Sequence, residues 1–204
     1  MDIIKILREE LGIRRGQVET TIKLIDEGNT IPFIARYRKE MTGSLDDETL
    51  RNFHERLLYL RNLEDRKEAI KKNIEEQGKL TKELAKQIEE AKTLIAVEDL
   101  YRPYRPKRRT RATIAKEKGL EPLANLILLQ KMTETPLEEA KNYINPEKEV
   151  STAEDALNGA KDILAESVSD NADFRTHIRE LTMKHGQLLS AAKDPEAESV
   201  YEMY

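Results

Sequence analysis

The side chains best suited by type and spacing to do chemistry lie between Glu98 and Arg111, in the run EDLYRPYRPKRRTR. It places six cations, Arg102, Arg105, Lys107, Arg108, Arg109 and Arg111, beside Tyr101 and Tyr104. This composition offers anion recognition, because guanidinium and ammonium groups neutralise phosphates and a tyrosine ring stacks on an unpaired base. Arg36, Arg38 and Lys39, in FIARYRKEM, form a second basic set that would assist. A competing reading makes the first run structural. In it, Tyr101, Pro103, Tyr104 and Pro106 form a hinge packed into the junction between two helical halves, and the arginines pair with acidic partners in the last third of the chain or in further domains. The hinge reading is preferred for the tyrosines and prolines. The phosphate reading is preferred for Lys107, Arg108, Arg109 and Arg111, since like charges so close repel unless a polyanion relieves them.

Other candidate groups do not assemble into a catalytic set. His177 and His185 are eight residues apart, about two helical turns, a separation that one metal ion does not bridge. Asp46-Asp47 and Glu89-Glu90 read as helix-start or surface carboxylates, with no apolar pocket to raise a pKa. Neither a phosphate loop nor a dinucleotide fingerprint is present. The expectation is a protein that is not an enzyme and uses no metal and no cofactor. The 204 residues include no cysteine, which excludes disulfides and thiolate sites. The charged opening MDIIKILREEL is neither a signal nor a transit peptide, and no apolar run is long enough to span a bilayer, so a soluble cytoplasmic protein is expected.

With 36% charged residues and a mean hydropathy of -0.70, the chain reads as helices with wide solvated faces. Its charge is uneven: residues 131–204 hold 8 Lys or Arg against 16 Asp or Glu, leaving residues 1–130 with 27 against 23. The basic character is therefore a local patch within an acidic protein.

The elements that must position these groups follow from periodicity and punctuation. Ile3, Ile4, Leu7 and Leu11 mark a helix over Asp2–Leu11 closed by Gly12, and Val18, Ile22 and Ile25 mark another over Gln17–Glu27 closed by Gly28. Thr30 and Pro32 start a third, predicted to reach Met41-Thr42 with Phe33, Ile34, Tyr37 and Met41 on its packed side. Three short helices with glycine turns over residues 1–46 form a helix-turn-helix-like unit, a common packing arrangement that sometimes reads DNA.

Ser44 to Asp47 offers a capping box for the longest helix, Asp47–Gln77, striped by Leu50, Phe53, Leu57, Leu60, Leu63, Ile70 and Ile74, with Lys67 in the remaining slot. A short EQGK turn returns the chain through a helix over Lys82–Ala96, with Leu84, Ile88, Ala91 and Ile95 in register. Residues 47–96 therefore predict a long, projecting antiparallel helical hairpin. Residues 97–112 are the basic Pro/Tyr connector, because Pro103 and Pro106 push Arg102 and Arg105 away from helical geometry.

Residues 113–204 form a second helical subdomain. Its helices cover Thr113–Lys118, the stretch after Leu120-Glu121-Pro122 and the stretch after Thr135-Pro136. A further helix, headed by a capping box from Ser151 to Glu154, turns Ala156, Leu157, Ala160, Ile163, Leu164 and Val168 inward. A last helix over Asp173–His185 has Phe174, Ile178 and Leu181 as its core side, and Gln187–Ala192 reads as a short strand or extended segment. Asp194–Tyr204 reads as the start of an element that the chain does not complete. The fold class is all-α and multihelical.

Three passages together, TIPFIARYRKEMTGSLDD at Thr30–Asp47, VEDLYRPYRPKRRTRATIAKEKGLEPLA at Val97–Ala124 and ALNGAKDILAE at Ala156–Glu166, resemble the N-terminal region of the Tex family of bacterial transcription accessory proteins. Their order and spacing match as well, over nearly the whole chain. The resemblance implies a longer protein continuing into a nuclease-like fold of the YqgF type, helix-hairpin-helix elements and an S1 domain of the OB class that supplies most RNA affinity. It also implies partners: nucleic acid, and RNA polymerase or its transcription factors. Two functions follow. One is a scaffold with weak, sequence-independent nucleic-acid contacts through the connector. The other is a protein-interaction module whose hairpin docks on polymerase or on the chain's own later domains.

Overall fold

The computed structural model describes residues 1–191. Among them are eleven α-helices and no strand; a single isolated bridge joins Asn145 and Val150. Helices α1 (Ile3–Leu11), α2 (Arg15–Asp26) and α3 (Ile31–Tyr37) precede the 30-residue α4 (Asp47–Glu76), which is followed by α5 (Lys82–Glu90) and α6 (Leu94–Tyr101). The second half contains α7 (Arg111–Glu117), α8 (Glu121–Leu129), α9 (Pro136–Ala140), α10 (Ala153–Asp170) and α11 (Ala172–His185).

The stripe on α4 is buried along its whole length, from Leu50 to Ile74. Leu50 packs with Leu24, Ile31, Ile34 and Leu45, and Phe53, Leu57 and Leu60 pack with Leu7 and Val18. Farther along, Leu63, Ile70 and Ile74 meet Leu84, Ile88, Val97 and Tyr101. The long helix is thus clothed by α1–α3 on its first half and by the return arm on its second, so it serves as a spine. Bidentate pairs reinforce the first half at the surface, with Arg56 donating to Glu10 at 2.6 Å and Arg61 donating to Asp26 at 2.7 and 2.9 Å. Lys67 fills its slot in the apolar stripe by aiming Nζ at the end of α5. There it donates to the Glu89 carbonyl at 2.8 Å and lies 3.2 Å from the Glu64 carboxylate.

The structure departs from the local reading at several places, each with a physical cause. The return arm is two helices, not one to Ala96: Ala91 is extended, and the Thr93 hydroxyl accepts from the Ala96 N–H to start α6 afresh. Ile95 is left 57% exposed, while Val97 and Tyr101 reach α4. α3 ends at Tyr37, and a turn closed by Met41 N–H to the Arg38 carbonyl at 3.0 Å and Ser44 N–H to the Lys39 carbonyl at 2.8 Å brings Leu45 into the core. Ile31 and Ile34 pack inward, whereas Phe33, Tyr37 and Met41 face solvent. Ser44 lies in the left-handed region at φ 64°, so the capping acceptor for α4 is Asp46, which takes the Thr49 N–H at 2.7 Å.

In the second half, α10 lies against α7, α8 and α9 through Ala112, Ala115, Leu123, Ala156, Ala160 and Ile163. Gly159 permits this approach: a Cβ there would stand 2.3 Å from Leu120 Cδ1. The capping box is shifted by one residue from its expected place, to Thr152 and Asp155, and Val168 is exposed. α11 buries no residue, so Phe174, Ile178 and Leu181 face outward instead of forming a core side. Residues 186–191 have no regular structure, so no strand forms over Gln187–Ala191. Ala192 and the stretch Asp194–Tyr204 lie outside the described residues.

Candidate nucleic-acid interface

The helix preceding the connector extends farther than its prolines suggest. α6 reaches Tyr101 and passes directly into a 3₁₀ turn over Arg102–Tyr104, with Arg105 N–H donating to the Tyr101 carbonyl at 3.1 Å. Pro103 occupies the first turn of that element, where a missing N–H costs nothing. Only Arg105–Thr110 lack helical structure, and the Thr110 hydroxyl accepts from Thr113 N–H at 3.0 Å to start α7.

Tyr101 is buried in the α4–α5–α6 core, with the Arg66 guanidinium 5.5 Å from its ring centroid. Tyr104 is half-buried against the same cluster, and its carbonyl accepts from Gln77 Nε2 at 2.9 Å at the end of α4. The Tyr101 ring is committed to packing, and the Tyr104 ring is packed in part. Pro103 and Pro106 are exposed.

The cations divide into paired and free. α10 presents Asp162, Glu166 and Asp170 at intervals of four, along one side of the helix. Arg102 Nε donates to Asp170 Oδ1 at 2.9 Å, and Lys107 Nζ donates to Asp170 Oδ2 and lies 3.4 Å from Glu166. The Thr110 hydroxyl donates to Glu166 at 3.0 Å, and Arg111 approaches Asp162 at 3.6 Å. Arg109 donates to Glu117 at 2.7 Å on the surface. Arg105 and Arg108 have no carboxylate within salt-bridge distance among the described residues. The spacing of the three α10 carboxylates is a legible sequence signal for this clamp, but only to a reader who already knows which helix faces the connector.

A second tether lies one turn earlier. Asp99, 4% exposed, accepts from Arg175 Nε at 2.6 Å and from Arg179, joining α6 to α11. Burial works against its ionised form, but the hydrogen bonds from Arg175 and then Arg179 outweigh it and hold the carboxyl below the usual aspartate range. Between these tethers the connector, α6, α10 and α11 enclose an open cleft of about 740 Å³. Its lining includes both unpaired guanidiniums, Arg105 and Arg108, with Arg102, Lys107 and Arg175.

Arg36, Arg38 and Lys39 are exposed on α3 and the turn after it, and none has a carboxylate within salt-bridge distance among the described residues. They do not join the connector cations. α3 packs near Leu50 at one end of α4 and Tyr104 meets Gln77 at the other, which at 1.5 Å per residue is roughly 40 Å along the helix. Among the described residues no three His, Asp or Glu side chains are grouped to hold a metal ion.

Two family profiles match this chain: "Tex-like protein N-terminal domain" over residues 1–75 and "Tex central region-like" over residues 131–203. The chain belongs to the Tex family. Among its relatives, "Protein tex" of Bordetella pertussis is 52% identical over 188 residues, 92% of this chain and 24% of the relative. "Transcriptional accessory protein Tex" of Neisseria gonorrhoeae is 48% identical over 180 residues, 88% of this chain and 23% of the relative. "S1 RNA-binding domain-containing protein 1" of Homo sapiens is 34% identical over 185 residues, 90% of this chain and 18% of the relative. The Tex-family chain described here spans about a quarter or less of the length of these relatives. No described helix is long and apolar enough to cross a membrane.

Proposed function

We propose that this Tex-family chain is a non-catalytic helical scaffold within a cytoplasmic, RNA-binding transcription accessory protein, with weak, sequence-independent nucleic-acid contacts of its own. The observation that carries the reading is the division of cations in the connector. Arg102 and Lys107 are held by α10, Arg109 pairs with Glu117 and Arg111 lies 3.6 Å from Asp162, which leaves Arg105 and Arg108 without a carboxylate partner at the cleft. With Arg36, Arg38 and Lys39 they make five cations able to meet phosphate. A strand long enough to reach both sets should bind with log K falling against log salt at a slope of about −3.5. A short strand confined to the connector should show about −1.4. Titrating labelled single-stranded RNA of two lengths at several salt concentrations tests this. Equal slopes for the two lengths, or unchanged binding after Arg105→Glu with Arg108→Glu, would remove these contacts from the function.

A second reading, a protein-interaction module, is supported by a different observation. The hairpin stripe of α4 is used up inside the fold, but Phe174, Ile178 and Leu181 on α11 are 50%, 60% and 46% exposed. In this reading α11, not the hairpin, docks on later domains of the longer relatives or on a polymerase component, and the chain alone binds no nucleic acid. Recovery of those domains in trans by the wild-type chain but not by Ile178→Asp supports it; equal recovery by both excludes α11.

A further inference from the structure

We propose that α3 and the turn after it form a stacking platform for single-stranded nucleic acid, with Tyr37 as the base-stacking residue and Arg36, Arg38 and Lys39 on the phosphates. The inference rests on the nucleic-acid reading above and names the form of nucleic acid that the second basic set takes.

Three observations meet on this element. First, large apolar side chains that a helix normally buries are outside: Tyr37 is 61% exposed, Met41 55% and Phe33 36%. α3 packs through Ile31, Ile34 and Ala35, and neither ring belongs to the core cluster there. Second, the rings are ordered against each other. Phe33 and Tyr37 stand 5.2 Å apart between centroids at 47°, and the Arg38 guanidinium covers Phe33 at 5.1 Å. Arg38 is further fixed by donating to the Tyr37 carbonyl at 3.1 Å. One face of Phe33 is thus occupied, which leaves Tyr37 as the more exposed of the two rings. Third, no cation on this stretch has a carboxylate within salt-bridge distance among the described residues, although the Asp46 carboxyl, lowered first by its hydrogen bonds from Thr49, is lowered further by the Lys39 charge. Asp46 caps α4 and Asp47 pairs with Arg51; Glu40 is the one acid on the turn itself.

An exposed aromatic ring beside unneutralised cations matches the two repeating features of an unpaired strand, a π-face on each base and a phosphate on each link. A duplex hides its base faces in the stack and offers only phosphates. The occupant that uses both parts of this surface is therefore a single strand. The ring acts without regard to base identity, because every base has a face to stack.

The test uses the chain with Tyr37→Ala, Tyr37→Phe, and Arg36→Ala with Lys39→Ala. Binding of fluorescein-labelled single-stranded rU12 and of a 12-base-pair duplex is followed by anisotropy at several salt concentrations. Tyr37 is at the surface, so its replacement leaves the core intact, and circular dichroism checks this. The expected result for Tyr37→Ala is a roughly 5- to 150-fold loss of single-strand affinity, an unchanged salt slope and unchanged duplex binding, with Tyr37→Phe near wild type. Arg36→Ala with Lys39→Ala should instead flatten the single-strand slope by about 1.4. Unchanged single-strand affinity in Tyr37→Ala, while Arg105→Glu with Arg108→Glu abolishes binding, overturns the platform and leaves the proposed function standing. Absence of any nucleic-acid binding by the wild-type chain overturns both. Tyr37-dependent binding to phosphatidylserine-containing vesicles, with single strands unaffected by the substitution, overturns the platform in favour of a lipid surface.

Discussion

Replacing Asp99 by alanine should release α11 while leaving the rest of the chain folded. α11 buries no residue of its own, and the guanidiniums of Arg175 and Arg179 on the one Asp99 carboxylate are its charge-assisted link to α6. A hydrogen bond to a charged group contributes about 1.5–3 kcal/mol net. Arg175 and Arg179 are 33% and 38% exposed at the side chain and rehydrate when the partner is lost, so each bond belongs at or below the low end of that range. The pair together then contributes about 2–3 kcal/mol, equivalent to about 30- to 150-fold in the opening equilibrium of α11.

Amide hydrogen exchange over Ala172–His185 reads this directly, because local opening is resolved there without global unfolding. The sign with pH follows from the depressed carboxyl. The stabilisation is fully present above about pH 4, the ordinary value, and is lost as the pH falls through the lower folded value. Wild-type α11 should therefore stay protected at pH 7 and lose protection on acidification below about 4, while Asp99→Ala should exchange about 30- to 150-fold faster at pH 7 and lack that pH dependence. Unchanged exchange over α11 in the variant would refute the reasoning, as would an equal loss in α1 to α4, which would mean that Asp99 supports a shared core and not a local tether.

Asp170→Asn should free Arg102 from its carboxylate, whereas Lys107 keeps Glu166 at 3.4 Å, and should steepen the salt slope on a short single strand by about 0.7; an unchanged slope would mean that Arg102 does not face the bound strand. Glu64→Ala should destabilise the fold by roughly 2–4 kcal/mol in urea titration, because it leaves the buried Lys67 ammonium with only the Glu89 carbonyl, whereas Lys67→Met should be close to neutral. Gly159→Val should cost about 1–3 kcal/mol by forcing Leu120 out of its place between α7 and α10, seen as a lower Tm with the far-UV spectrum retained.

The helical class, the order of the elements and the stripe from Leu50 to Ile74 are properties of local sequence. They were legible because periodicity, glycine stops and capping hydroxyls act within a few residues of themselves. Even Lys67 could be located in the stripe, although not the Glu89 carbonyl that satisfies it. The structure departs from local periodicity where two local signals compete. Thr93 could be read as a residue inside one return helix or as the cap of a second, and the fold chose the cap because it turns Val97 and Tyr101 onto α4. On α3 the spacing of Phe33, Ile34, Tyr37 and Met41 suggests one packed face, but of these only Ile34 is buried, joined by Ile31 against Leu24 and Leu50.

What the sequence determined by itself about the connector is its composition: six cations, two tyrosines and two prolines, hence a break in the helices and a capacity for anions. The tertiary structure decided which of those cations remain free. Charge partners are chosen by proximity in space, and Asp170 lies 68 residues from Arg102 along the chain. No local pattern carries that information, because an arginine paired to α10 and an arginine open to phosphate are the same residue in the sequence. The same holds for α11, whose apolar spacing is real but whose contact with α6 is made through Arg175 and Arg179, turning Phe174, Ile178 and Leu181 to solvent.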